Sequence, residues 1–141
     1  MSIAKKQVYP QGNVVEVFNL KVSLTANQIQ NAATSPIDIG LPASGAGYYY
    51  RVTQFDANLI YGTAPFVSQL LLIGTVSTGA PQREVNSLAA TANDFRMGGI
   101  SSNLIPNIAE NDIVSIWADV DSVGDGDSTI DCYITVEKVA L

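Results

Sequence analysis

The sequence predicts an all-β protein, an antiparallel β-sandwich of jelly-roll-like form with one short helix. Three observations carry that prediction. Apolar residues make up 47% of the 141-residue chain and charged residues only 14%. Such a balance suits sheets with few charged helix faces and is unlike a charge-driven disordered chain. Apolar and polar residues alternate with period two over several long stretches. Turn clusters of Gly, Pro, Asn and Asp separate these stretches at spacings of roughly 8–20 residues, in place of alternating strand–helix units. The length suits one domain, enough to bury roughly 70% of its extended-chain surface.

Residues 1–12 read as an N-terminal arm and residues 13–141 as a single sandwich domain. The first strand is Asn13 to Leu24, where Phe18, Leu20, Val22 and Leu24 alternate. Val15 and Val17 hold the opposite phase, which predicts a bulge near Val17–Phe18 or burial on both faces. Thr25 followed by Gln28 is a capping-box pattern for one helical turn. Ile37 to Leu41 is a short strand between prolines.

Gly45 and Gly47 then open a long strand. Tyr48, Tyr50 and Val52 share one face, while Phe55, Ala57, Leu59 and Tyr61 hold the other phase. A bend at Thr53–Gln54 is expected, letting the two halves serve different layers. Tyr49 must face away from Tyr48 and Tyr50. A large aromatic there implies a covered surface, by a second sheet, a long loop or a sister subunit, with the subunit preferred.

The unbroken apolar run in VSQLLLIGTVS predicts a fully buried strand. The stretch with helical character, and so the one short helix of the prediction, is NSLAATANDFRMGG: Leu88, Ala89, Ala92, Phe95 and Arg96 have helical spacing, with Ser87 as N-cap and Gly98–Gly99 as stop. Pro106 holds NLIPN extended. NDIVSIWADVDS and STIDCYITVEKVAL flank VGDGDS and read as a terminal β-hairpin.

Several functions are excluded or disfavoured by composition. The net charge of −6 argues against phosphate binding through a broad basic surface, so no nucleic-acid partner is expected. The opening residues lack the apolar core of a signal peptide, and no later segment approaches a membrane span. With no histidine, Ser-His-Asp, Cys-His and zinc-histidine chemistry are unavailable. The single cysteine, Cys132, alternates with Ile130, Ile134 and Val136 and reads as a buried small hydrophobe. No catalytic residue and no cofactor are assigned.

Asp119, Asp121, Asp125 and Asp127 supply carboxylates at calcium-loop spacings. Counted from Asp119, however, the fifth position is Val123 and the twelfth Ile130, where oxygen ligands are needed. A metal-free turn is therefore the expected reading. Trp117 shares its phase with Ile113 and Ser115, against Val114, Ile116, Ala118 and Val120, on an outer or subunit-contact face. Lys5 and Lys6 are an adjacent basic pair in an otherwise acidic chain. The interface candidates are thus Tyr48, Tyr49, Tyr50, Trp117, Lys5 and Lys6.

The order of elements resembles that of small tailed-phage and prophage virion proteins encoded among head genes. The resemblance rests on LTANQIQ…SPIDI (Leu24 to Ile39), a glycine-entered aromatic strand ending LIYGT (Gly45 to Thr63) and Leu88 to Phe95 with its ANDF. It also rests on the terminal IWADVDSVGDGDSTIDCYITVEKV segment (Ile113 to Val139). It implies a non-enzymatic capsid decoration or head-fibre protein, commonly a trimer, docked on the major capsid protein or another virion protein. Its place would be the virion exterior, after synthesis in the host bacterial cytoplasm. The alternative is a carbohydrate-binding β-sandwich module using Trp117 and the acidic turn. A third class, an enzyme with paired carboxylates, is the least favoured.

Overall fold

A computed structural model describes residues 13–67, 70–75, 80–85, 88–100, 110–119 and 126–141. Among the described residues there are nine strands and one helix. The strands are β1 (Asn13–Leu24), β2 (Ile37–Asp38), β3 (Tyr48–Ile60), β4 (Leu71–Thr75), β5 (Ala80–Val85), β6 (Asp94–Met97), β7 (Gly99–Ile100), β8 (Ser115–Ala118) and β9 (Thr129–Ala140); the helix is α1 (Ala26–Gln30). They form two sheets, ordered β1-β9-β3-β6 and β2-β8-β4-β5-β7, with every pair antiparallel.

The pairing works from the outside in. β1 pairs with β9, β2 with β8, β3 with β6 and β4 with β5. A long antiparallel ribbon rolled onto itself gives this order, which is the jelly-roll arrangement the composition and spacing predict. The terminal hairpin does not form. β8 lies in one sheet between β2 and β4, and β9 lies in the other between β1 and β3. Ala118 and Thr129, which flank the acidic segment, therefore belong to different sheets.

The core lies between the sheets. Phe55, Ile130, Cys132 and Val136 from one sheet meet Leu71, Ile73 and Ile116 from the other and Val114 just before β8, each with no measurable exposure. β4 is buried along its whole length, as its apolar run predicts. Burial raises the Cys132 thiol to about 12, with the Asp131 charge adding to the rise, so the thiol is a protonated core group.

A bulge keeps β3 in phase with this core, and β1 carries a second irregularity near its start. In β3 the register shifts between Val52 and Gln54. The extra residue reverses the parity of the strand, so Tyr50 and Val52 before it and Phe55, Ala57 and Leu59 after it all enter one core. The irregularity expected at Thr53–Gln54 is a shift of register, and the two halves of the strand serve one layer rather than two. In β1 the shift falls between Val14 and Glu16, three residues earlier than expected, and Val15 and Val17 are exposed rather than buried on a second face.

The helix forms where the capping box predicts it. The Thr25 N–H donates to Gln28 Oε1 at 2.9 Å, and the Gln28 N–H donates to Thr25 Oγ1 at 3.2 Å. The helix expected from Leu88 to Arg96 does not form: residues 88–93 have no regular structure and Asp94–Met97 is a strand. Asp94–Met97 pairs with Asp56–Leu59 as the free edge of its sheet, so an unpaired edge overrides a weak local propensity. β2 ends at Asp38 because Gly40 takes φ 97°. Gly45 and Gly47, at φ 96° and 83°, turn the chain into β3 as their placement suggested. The expectations for residues 1–12 and for Pro106 lie outside the described residues, and no helix among the described residues is long and apolar enough to cross a membrane.

Candidate interaction surface

The outer faces of the two sheets differ. On the five-stranded sheet, Trp117 lies opposite Leu72, and Leu72 lies opposite Glu84. Leu72 and Glu84 are each 7% exposed and Ser115 3%, so the chain covers much of this face itself. Trp117 has the outward phase read from the sequence and is half-buried.

The outer face of the four-stranded sheet is open except at its Tyr49–Val139 end, and strand register sets its pattern. Ser23, Asp131, Asn58 and Phe95 form one row across the strands. Lys21, Tyr133, Asp56 and Met97 form the next, then Asn19, Thr135 and Gln54. Val17, Glu137 and Arg51 follow, and Val14, Val139 and Tyr49 make the last row. The polar members hold one another in place. Ser23 Oγ donates to Asp131 at 2.7 Å, Gln54 Nε2 donates to Asp56 at 2.7 Å, and Arg51 Nη2 is 2.6 Å from Glu137 Oε1. Tyr133 and Phe95 stand out from this polar lattice, 37% and 53% exposed, with ring centroids 6.5 Å apart.

The three consecutive tyrosines have separate roles. Tyr50 is in the core; its hydroxyl donates to Pro42 O at 2.8 Å, and its ring meets Phe18 edge-on at 6.3 Å. Burial raises its phenol above the usual range, and the Glu16 charge adds to the rise. Tyr48 is half-buried under Lys138, whose Nζ stands 4.6 Å from the ring centroid. Tyr49 faces outward but is 2% exposed in the single chain. Of the coverings open to it, its own chain supplies one: it pairs with Val139 on one side and bridges Glu110 on the other. Lys5 and Lys6 lie outside the described residues.

The aspartates of the acidic segment do not converge where they are described. Asp119 Oδ1 accepts from the Leu70 N–H at 3.0 Å. Asp127 clasps the loop after β3, accepting from the Thr63 and Ala64 N–H groups at 2.7 and 2.9 Å and from the Thr63 hydroxyl at 2.5 Å. Asp121 and Asp125 lie outside the described residues. The Thr63 hydroxyl bond, then the two backbone bonds, hold the Asp127 carboxyl below its ordinary value. A depressed folded-state value stabilises the fold above the unfolded value and loses that contribution as pH falls through the folded one. Melting followed against pH should therefore show Asp127→Asn less stable than wild type at neutral pH. The difference should shrink once the pH falls below the ordinary aspartate range of about 4. A gap that persists in acid would assign the loss to packing instead of charge.

The pair Phe95 and Tyr133 is the part of this surface that sequence reasoning missed. The helical spacing after Ser87 places Phe95 in a helix. Tyr133 carried a usable signal: it is the aromatic on the polar phase of the last strand, against Cys132, Ile134 and Val136.

Comparison with known proteins adds one likeness. No protein-family model matches the chain, and a search of curated proteins finds no match. Among solved structures the chain is similar to one described as "Cyanophage Pam1 capsid asymmetric unit", at 14% identity and a TM-score of 0.44, over 97% of this chain and 93% of that one.

Proposed function

We propose that this protein is a non-enzymatic structural component of a phage virion, a capsid decoration or head-fibre protein that self-associates, as a trimer, and docks on the shell. The observation that carries the reading is β1. It is a twelve-residue edge strand whose outer side has no partner among the described residues, and Val14, Val15 and Val17 on it are 43%, 52% and 51% exposed. A long edge with exposed valines is a template for pairing with another chain, and natural monomers shield such edges. The jelly-roll order and the motif resemblance agree with a structural role.

Residues 1–12 lead directly into this edge and serve as the attachment arm. About twelve residues reach roughly 40 Å when extended, and strand addition through backbone hydrogen bonds demands little of the sequence. Lys5 and Lys6 then supply the basic contact to an acidic shell. The test is deletion of residues 1–12, followed by sedimentation alone and with capsids. The truncated chain should still sediment as a trimer but no longer pellet with capsids. A monomeric wild-type chain would sink the self-association, and undiminished capsid binding after deletion would move the docking surface to the sandwich.

A further inference from the structure

We infer that the outer face of the β1-β9-β3-β6 sheet, centred on Tyr133, binds a neutral polysaccharide. A shallow groove of about 380 Å³ runs over the middle of this face, where Asn19, Lys21, Gln54, Tyr133 and Thr135 line it. A pyranose ring offers an apolar face of C–H groups and a rim of hydroxyls. Its binding site needs an exposed aromatic plane beside planar hydrogen-bonding groups. Tyr133 supplies that plane in the groove, and Phe95, outside the groove lining, extends it at a tilt of 41°, both rings being partly exposed.

The surrounding polar groups are ordered before any ligand arrives. The Thr135 hydroxyl lies 2.8 Å from Asn19 Oδ1 and 2.9 Å from Gln54 Oε1. Its single proton serves one of these oxygens and leaves the other to accept from a ligand hydroxyl. Gln54 is anchored in turn on Asp56, and Asp56 accepts from the Gly98 N–H at 3.0 Å. Side chains already held by one another lose little further freedom on binding, which lowers the cost of recognising a flexible ligand.

The chemistry of the face selects among ligands. A protein partner wants a charge-depleted apolar centre, whereas Tyr133 sits between Lys21 and Asp56 in register. The cations of the face are matched: Lys21 Nζ is 3.7 Å from Asp131 and Arg51 is paired with Glu137. Asp56, in contrast, is held by neutral donors. The surplus is acidic, which disfavours polyuronates, phosphate-bearing polymers and nucleic acid. An uncharged glycan suits it. The inference is independent of capsid docking, because it concerns a sheet face and not the arm or the β1 edge.

Affinity electrophoresis of the full chain tests it, with gels containing dextran, laminarin or hydroxyethylcellulose as neutral probes and alginate as the anionic one. At least one neutral polymer should retard migration and alginate should not. Tyr133→Ala and Gln54→Ala should weaken the retardation about tenfold in Kd, while Tyr133→Phe and Trp117→Ala keep it. Gln54 and Tyr133 are surface positions, and either variant with a wild-type melting curve suffices for the comparison. Free migration in every neutral gel, stronger retardation in alginate, or undiminished binding by a folded Tyr133→Ala or Gln54→Ala variant would each overturn the assignment.

Discussion

Replacing Phe55 by alanine lowers the free energy of unfolding by about 3–5 kcal/mol. The ring has no measurable exposure and sits immediately after the β3 bulge, where the strand returns to the core phase. Both sheets close on it, so little of the resulting cavity is refilled by relaxation. The same substitution at Phe95 should change stability by less than about 0.5 kcal/mol, because that ring is 53% exposed on the outer face. Urea unfolding of the two variants measures the contrast directly. Equal losses would mean that the bulge does not direct β3 into the core as described.

Gly98→Ala destabilises by about 3 kcal/mol for the opposite reason, too much volume in place of too little. Gly98 lies between β6, in one sheet, and β7, in the other, where the chain crosses over. A Cβ there would overlap the Phe55 carbonyl oxygen and stand 3.0 Å from that of Glu84. Both obstacles are backbone, so neither can rotate away. The Gly98 N–H also donates to Asp56, which fixes the crossing in place. Gly99, one residue on, has open space around it. Alanine at Gly99 should be neutral or slightly stabilising, within about 1 kcal/mol. Thermal melts of the two single variants test this, and a Gly98→Ala protein as stable as the Gly99 variant would show that the crossing can shift freely.

Legibility followed the range of the interactions. The capping box at Thr25 and Gln28 involves neighbours, and it forms with both bonds. The buried run of β4 and the alternation of Cys132, Ile134 and Val136 report on one strand's own faces, and both are placed as expected. The helical spacing after Ser87 misled because the deciding partner, Asp56–Leu59, lies far away in sequence. The acidic loop misled in the same way: turn residues mark a reversal of direction but not which sheet receives the next strand.

By itself the sequence determined the class of the fold, the long strands β1, β3 and β9, the buried run of β4, the capped helical turn and the buried thiol, because period and capping are properties of adjacent residues. Tertiary structure alone decided which strands are neighbours. It put β8 and β9 in different sheets, placed the β3 bulge so that one core receives both halves of that strand, and set Asp127 on the loop at Thr63 and Ala64. It also brought Tyr133 and Phe95 together across the strand that separates them. The physical reason is that side-chain parity along a strand is written locally, whereas register between strands is chosen by the packing of the whole sandwich.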